Sequence, residues 1–337
     1  MPRGPRLDAL GVVHHVMVRG IERRRIFRTP ADSEDFVARL AGSATAGHWV
    51  VYAWALLPDH AHLLVRTAAR PLARTMRSLL TGYAGAFNRR HRRAGHLFQN
   101  RYRSVVVEEA PYFLELVRYI HLNPLRAGIV RDLRGLDRYP YAGHPALIGT
   151  VARPWQDTGA VLGRYGSRRT TARRRYRAFV AEGVRHGRRP EFQGGGLVRS
   201  LGGWQAVRAL RRGREAHTAD ERVLGTGAFV EGLLREVERQ AGRTERETHP
   251  RVDLATLARR IGASLGLPPA LILGRTRARA AARARQLLAY VWVERLGRRA
   301  SDLARALNQT RGNVSLAAKR GEEAARPWHG MLAAWCR

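Results

Sequence analysis

The sequence predicts an α+β protein, with a sheet-and-helix region first and an all-helical region last. Strand-like runs rich in Val, Leu and aromatic residues recur between residues 12 and 108, and helical spacings separate them. Turn-forming Gly, Pro and Asp residues fall at the junctions. From about residue 251 only the helical period remains.

Taken in order, VVHHVMV (residues 12–18) reads as a strand ending at Arg19-Gly20. Asp32 to Ala46 carries Phe36, Val37 and Leu40 at helical spacing and stops near Gly47. Trp49 to Leu57 is a second strand, and Pro58-Asp59 turns the chain into a third. Pro71 opens a helix through about Arg93, whose apolar stripe is Leu72, Met76, Leu79, Leu80, Tyr83 and Phe87. Tyr102 to Glu108 is a fourth strand, and Pro111 starts a helix expected to run to Asn123, before Pro124. The β-α-β-β-α-β succession is the ferredoxin-like split βαβ pattern. It sets a first domain at residues 1–145.

Residues 146–250 change texture: Arg and Gly dominate runs such as GSRRTTARRRYRAF and FQGGGLVRSLGGW. Trp155, Phe179, Trp204 and Leu210 are isolated apolar anchors there, so the segment reads as a helical, partly irregular connector or as a solvated basic linker. A third region, residues 251–337, holds the amphipathic stretch RARQLLAYVWVERLG and then ASDLARALNQTRGNVSLAAKRG. The latter fits two short helices, with Asn308 where the turn between them needs a left-handed residue. The second of these, about Thr310 to Arg320, would present Thr310, Arg311, Asn313 and Lys319 to DNA, although an ordinary helical hairpin has the same pattern.

Sixty-one Lys and Arg against 27 Asp and Glu leave a formal charge of +34. Lys319 is the only lysine, a bias toward Arg that a GC-rich coding sequence produces by itself. The excess of cations over anions is not explained that way and predicts a polyanionic partner, nucleic acid first. No apolar stretch approaches the ~20 residues of a membrane span, and MPRGPRL lacks the apolar core of a secretory signal. The single cysteine, Cys336, cannot form an internal disulfide, which fits a reducing cytoplasm.

Two short stretches carry candidate chemistry. In ALLPDHAHLLV (residues 55–65), His60 and His62 are one residue apart on a strand and so share a face. Two neutral imidazoles there can ligate one divalent metal, or can be an accident of composition. In LVRYIHLNPLRAGIV (residues 116–130), Tyr119 and Asn123 are four apart on a helix and also share a face. Tyr112, seven residues earlier on the same helix, reads as a core aromatic, and His121 points elsewhere and reads as a structural hydrogen-bonding group. His15 could approach the site and has no assigned role; Gly95, His96 and Gln99 read as loop structure or substrate contacts.

With the loop GHLFQNRYRS (residues 95–104), these stretches resemble the single-tyrosine HUH transposases, and most closely their REP-associated tyrosine transposase branch. The resemblance covers about residues 8–145 and continues more loosely through GGGLVRSLGGW. The C-terminal region separately resembles the helix-turn-helix domain of bacterial replication initiators.

The resemblance implies a divalent metal, Mg2+ or Mn2+, held by His60 and His62 and completed by Asn123, whose place before Pro124 equally suits a capping role. It implies Tyr119 as the nucleophile on a DNA phosphodiester, leaving a 5′-phosphotyrosine and a free 3′-hydroxyl. It also implies a substrate of single-stranded DNA with hairpins, from palindromic repeats, and a monomer or homodimer.

Arg23, Arg24, Arg25, Arg101 and Arg103 flank the predicted site strands and are candidate phosphate contacts. Two other functions stay open on the residues: a DNA-binding regulator with an inactive nuclease domain, and a basic RNA-binding protein using the sheet as a platform. The latter requires exposed aromatics on two central strands, which are not evident.

Overall fold

A computed structural model describes residues 7–185, 222–248, 252–276, 278–328 and 330–336; the GGGLVRSLGGW stretch, with Trp204 and Leu210, lies outside them. The chain divides into two compact units, Met1–Val237 and Glu238–Arg337.

In the first unit, β1 (Val13–Arg19), α1 (Pro30–Thr45), β2 (Trp49–Leu57), β3 (His60–Thr67), α2 (Leu72–Arg90), β4 (Arg103–Val107) and α3 (Glu109–Arg126) follow in that order. The sheet order is β2-β3-β1-β4, with every one of these neighbours antiparallel. This is the split βαβ arrangement, because β3 lies between the parallel pair β1 and β2 and β1 lies between β3 and β4. A fifth strand, β5 (Val223–Leu224), adds to β4 in parallel and has no periodicity of its own in the sequence.

Alternation along the strands builds two cores. Val16, Val18, Trp54, Leu63 and Val65 meet α1 and α2 through Phe36, Leu40, Met76 and Tyr83. Val13, Ala55, Leu64, Val105 and Val107 meet α3 through Phe113, Leu116, Tyr119 and Ile120. Asp32 joins the first pair of helices. It is fully buried, accepts from the backbone N–H of Arg28 and Thr29 at the start of α1, and receives Arg90 and His91 from the end of α2.

The core on the α3 side extends well past residue 145. Short helices α4 (Leu133–Asp137), α5 (His144–Ile148) and α6 (Thr158–Leu162), with α7 (Arg169–Glu182), supply Leu136, Leu147, Val161, Ala172, Tyr176 and Val180 to it. A buried polar chain ties α3 to this layer: Tyr176 Oη lies 2.7 Å from His121 Nδ1 and 2.8 Å from His144 Nδ1. His144 Nε2 lies 2.9 Å from Asp137, whose carboxyl the His144 and Arg177 hydrogen bonds hold down to about 2. With His144 donating to Asp137, Tyr176 donates to His144 Nδ1 and accepts from His121, so each tautomer is fixed. His121 is therefore structural. On the other sheet edge, Tyr141, Gly143 and Asp157 hydrogen-bond β2, which leaves no long open edge there.

α3 departs from the sequence expectation. It runs through Pro124 to Arg126 instead of ending at Asn123. Pro124 has no N–H for the Ile120 carbonyl; Asn123 Nδ2 donates to that oxygen at 3.3 Å and to the Tyr119 carbonyl at 2.9 Å, which offsets the loss.

His14 is an exception to good pairing. Opposed to Val65 and Val106, it is fully buried and neither ring nitrogen has a hydrogen-bond partner. Burial pushes its pKa down to about 3. The unfolded chain binds this proton below its ordinary value of 6.5 while the folded chain refuses it, so stability falls as pH drops from 6.5 toward 3. His14→Leu should raise stability at pH 7.5, and the gain should widen by about 1.4 kcal/mol at pH 5.5. Urea unfolding at the two pH values checks this; an equal gain at both would mean His14 keeps its ordinary titration.

α8 (Gly227–Thr248) crosses the boundary between units. In the first unit its Val230 and Leu233 pack with Leu7, Ala9, Val106 and Val223. The second unit is helical: α9 (Leu254–Leu265), α10 (Pro269–Leu273), α11 (Arg279–Tyr290), α12 (Ala300–Ala306), α13 (Arg311–Ala324) and α14 (Leu332–Cys336). Leu257, Ile261, Leu287, Leu303, Val314 and Trp335 fill its core. α11 and α13 approach so closely at Gly321 that a Cβ there would sit 2.0 Å from the Gln286 carbonyl. Between α12 and α13, Asn308 is left-handed, at φ 50°.

Candidate active site

The register of β1 against β3 assembles the site. Arg19 pairs with His60, Met17 with His62 and His15 with Leu64. Directly opposed residues share a face, so His15, Arg19, His60 and His62 all stand on the side of the sheet that α3 covers. α3 brings Tyr119 to them: its ring lies edge-on to His62 at 5.8 Å and to His15 at 6.0 Å between centroids. The two sequence-predicted histidines are 5.1 Å apart, ring to ring.

Each of those histidines has its Nδ1 engaged. His62 Nδ1 is 3.0 Å from His15 Nε2, and His60 Nδ1 is 2.6 Å from the Asp59 carboxylate. Nε2 of each ring is thus the atom outside these bonds; the partner on Nδ1 fixes the orientation of both rings, and the Asp59 carboxylate, which only accepts, also fixes the tautomer of His60. Burial, then the neighbouring His15, His60 and Arg19 charges, hold His62 well below its ordinary pKa. His60 is lowered by burial, with Asp59 opposing. Both rings are neutral at pH 7, the state in which imidazole binds a metal.

The third predicted ligand is less committed to the site. Asn123 spends its Nδ2 on the helix carbonyls, and Oδ1 is the side-chain atom outside those bonds. No three His, Cys, Asp or Glu side chains cluster as an ion site among the described residues. The candidate donors to an ion here are thus the two imidazoles and the Asn123 amide oxygen.

Tyr119 is only 3% exposed. The Arg126 guanidinium lies 5.7 Å from its ring centroid. Tyr112, by contrast, packs partly buried against the α3-side core, with no ring contact to the histidines among the described residues.

The candidate phosphate contacts gather at one end of the sheet. Arg23, Arg24 and Arg25 follow β1, and Arg101 and Arg103 bracket the start of β4, the strand ends that also carry His60. The loops are laced together: Gly20 N donates to Asp59 O, Ile21 N to Leu97 O, and Gln99 N to Arg19 O. All five arginines are exposed, and Arg24 forms a solvent-facing ion pair with Glu22. Arg103 shares the α3-side face, opposed to Met17. Gly95 is left-handed at φ 85° and His96 and Gln99 are exposed, while Leu97 anchors the loop in the core.

In the second unit, Arg311, Asn313 and Lys319 are exposed along α13. Thr310 caps that helix, its hydroxyl accepting from Asn313 N at 3.2 Å.

Three site residues lay beyond the motif reading: His15, which orients His62, and the arginines Arg19 and Arg126. Period-two counting from His15 reaches Arg19 on the same face, but only the β1–β3 register sets both beside the histidine pair. Arg126 follows Tyr119 by seven residues, two helical turns, a signal hidden by the expectation that Pro124 ends the helix.

Residues 10–123 match the family model described as "Transposase IS200 like". A search of curated proteins finds no match. Among solved structures, a REP-associated tyrosine transposase bound to a REP hairpin aligns at 15% identity and a TM-score of 0.38, over 46% of this chain and 90% of that one. No helix among the described residues is long and apolar enough to cross a membrane.

Proposed function

We propose, from the match of residues 10–123 to the IS200-like transposase model, that the chain cleaves and rejoins single-stranded, hairpin-bearing DNA through Tyr119. The observation that carries this reading is the meeting of Tyr119 with the neutral pair His60 and His62 on one covered face of the sheet. The Tyr119 oxygen forms a bond to phosphorus as the bond from phosphorus to the 3′ oxygen breaks. The phenolic proton is lost, and the departing oxygen ends protonated as a 3′-hydroxyl. The 5′-phosphotyrosine keeps the phosphodiester's energy, so attack by a 3′-hydroxyl reverses the step without ATP.

A divalent ion such as Mg2+ or Mn2+, when held by His60, His62 and Asn123, would offset charge on the scissile phosphate. His15 and Asp59 fix the orientation of the two imidazoles, and Asp59 holds His60 with Nε2 free to ligate. The exposed arginines at the strand ends would grip the flanking phosphates. We assign the substrate to palindromic repeat hairpins from the REP-associated motif resemblance and from the charge of +34. Helices cover both faces of the sheet, which speaks against an RNA-binding platform of exposed aromatics.

The test is incubation with hairpin oligonucleotides and Mn2+ or Mg2+, read as a detergent-resistant protein–DNA band. Expected are an adduct with hairpin DNA and none with the RNA of the same sequence. Cleavage without an adduct would indicate activated water and overturn the reading.

We also propose that α13 binds DNA through Arg311, Asn313 and Lys319. Replacing Arg311 and Lys319 with Ala in the full chain should weaken hairpin binding and flatten its salt dependence by roughly one to two in log–log slope. Adduct yield at saturating protein should stay unchanged. An unaltered salt slope would remove these residues from the interface.

A further inference from the structure

We propose that Arg19 is a further catalytic residue, whose guanidinium binds the scissile phosphate and stabilises the charge that builds on it as Tyr119 attacks. The proposal rests on the transesterification reading above and adds a group that neither the sequence motifs nor the family match assigns.

Four observations converge on it. Arg19 ends β1 directly opposite His60, so it emerges on the α3-side face beside the histidine pair. Its backbone is fixed on both flanks, by the β3 ladder and by Gln99 N donating to its carbonyl. The side chain is half-buried, and its Nε is enclosed with no hydrogen-bond partner. No carboxylate forms an ion pair with it among the described residues, whereas Arg24, Arg39, Arg66, Arg90 and Arg118 all have one.

An enclosed donor without an acceptor is unfavourable in the free protein, and a guanidinium without a counter-ion is more so. Such a group is what a bound anion satisfies. The anion this face must receive is the phosphodiester between Tyr119 and the histidines. Guanidinium suits it, with planar donors that match two phosphate oxygens. The chemistry adds a reason. During attack, the non-bridging oxygens gain negative charge as the P–O bond to Tyr119 forms and the bond to the 3′ oxygen lengthens. A fixed donor aimed there is worth more in the transition state than in the bound substrate. The exposed Arg23, Arg24, Arg25 and Arg101 sit in water and contribute affinity instead.

The experiment compares wild type, Arg19→Ala and Arg19→Lys in the full chain, on hairpin DNA with an ordinary or a methylphosphonate scissile linkage. The methylphosphonate lacks the non-bridging charge that Arg19 would meet. On ordinary DNA, Arg19→Ala should slow adduct formation at saturating DNA by about 100-fold or more, with affinity within about threefold, since the other arginines supply the binding. On at least one methylphosphonate diastereomer that penalty should shrink below about tenfold, because there is no charge left to neutralise. Should Arg19→Ala fail to fold, the same pair of substrates with Arg19→Lys decides, with a smaller penalty that shrinks likewise. A penalty below threefold on ordinary DNA, with wild type forming adduct, sinks the Arg19 role and leaves the transposase reading standing. A large penalty that persists unchanged on both methylphosphonates means that Arg19 acts through the fold or the histidines, which also overturns the proposal. Absence of adduct in wild type overturns the underlying reading itself.

Discussion

Tyr119→Phe should yield a folded protein that binds hairpin DNA and forms no covalent adduct. The substitution removes one oxygen and keeps the ring, so the edge contacts with His15 and His62 and the packing against the α3-side core survive. What disappears is the only atom proposed to attack phosphorus. Loss of adduct should be complete within detection, since no other phenol has a ring contact to the histidine pair among the described residues. Tyr112→Phe is the matched control on the same helix, and its adduct should match that of wild type. Peptide mapping of the wild-type adduct should place the DNA 5′ end on Tyr119. An adduct that survives Tyr119→Phe and vanishes with Tyr112→Phe would move the nucleophile seven residues along the helix.

His62→Ala should lower cleavage with Mg2+ or Mn2+ by at least about 1000-fold, the order expected when a preorganised electrostatic group at the reacting centre is lost. His60→Ala should act in the same direction. DNA affinity should change by less than about fivefold, because the arginines at the strand ends are untouched. His62 also packs edge-on to Tyr119 and accepts or donates to His15, so thermal unfolding must accompany the assay. His62→Gln, closer in shape, separates a packing loss from a ligand loss: it should keep the fold and stay inactive. Full cleavage by the double His60→Ala, His62→Ala protein would return both residues to ordinary strand positions.

The sequence made the four main strands and the first three helices legible because their side chains repeat at two clear periods. Val16 and Val18 alternate with His15 and Met17 across one sheet, and Leu72, Met76, Leu79 and Tyr83 mark one helix face. Motif spacing likewise put His60 and His62 on one strand face and Tyr119 and Asn123 on one helix face. It could not supply register, and register is what puts Arg19 opposite His60. The layer from α4 to α7 was obscured by its arginines. Ala172, Tyr176 and Val180 stand four apart and fully inside, yet the intervening charges gave the segment the texture of a linker. Pro124 misled for a chemical reason: the rule that proline ends a helix assumes an orphaned carbonyl, and the Asn123 side chain serves that carbonyl.

The parallel strand β5 also orders events in time. Val223 and Leu224 cover the outer edge of β4 and, with α8, close the apolar patch of Leu7, Ala9 and Val106. They are synthesised more than a hundred residues after Val107. At ribosomal rates of roughly 5–20 residues per second, a growing chain carries β4 and α3 for on the order of ten seconds before that edge is sealed. During this interval β4 offers unpaired backbone to any other nascent strand, so crowded translation endangers this sheet more than dilution and refolding of the finished chain. Expression fragments ending near residue 145 would make that interval permanent. Slow, cool expression of the whole chain should therefore give more soluble protein than the shorter and apparently simpler piece.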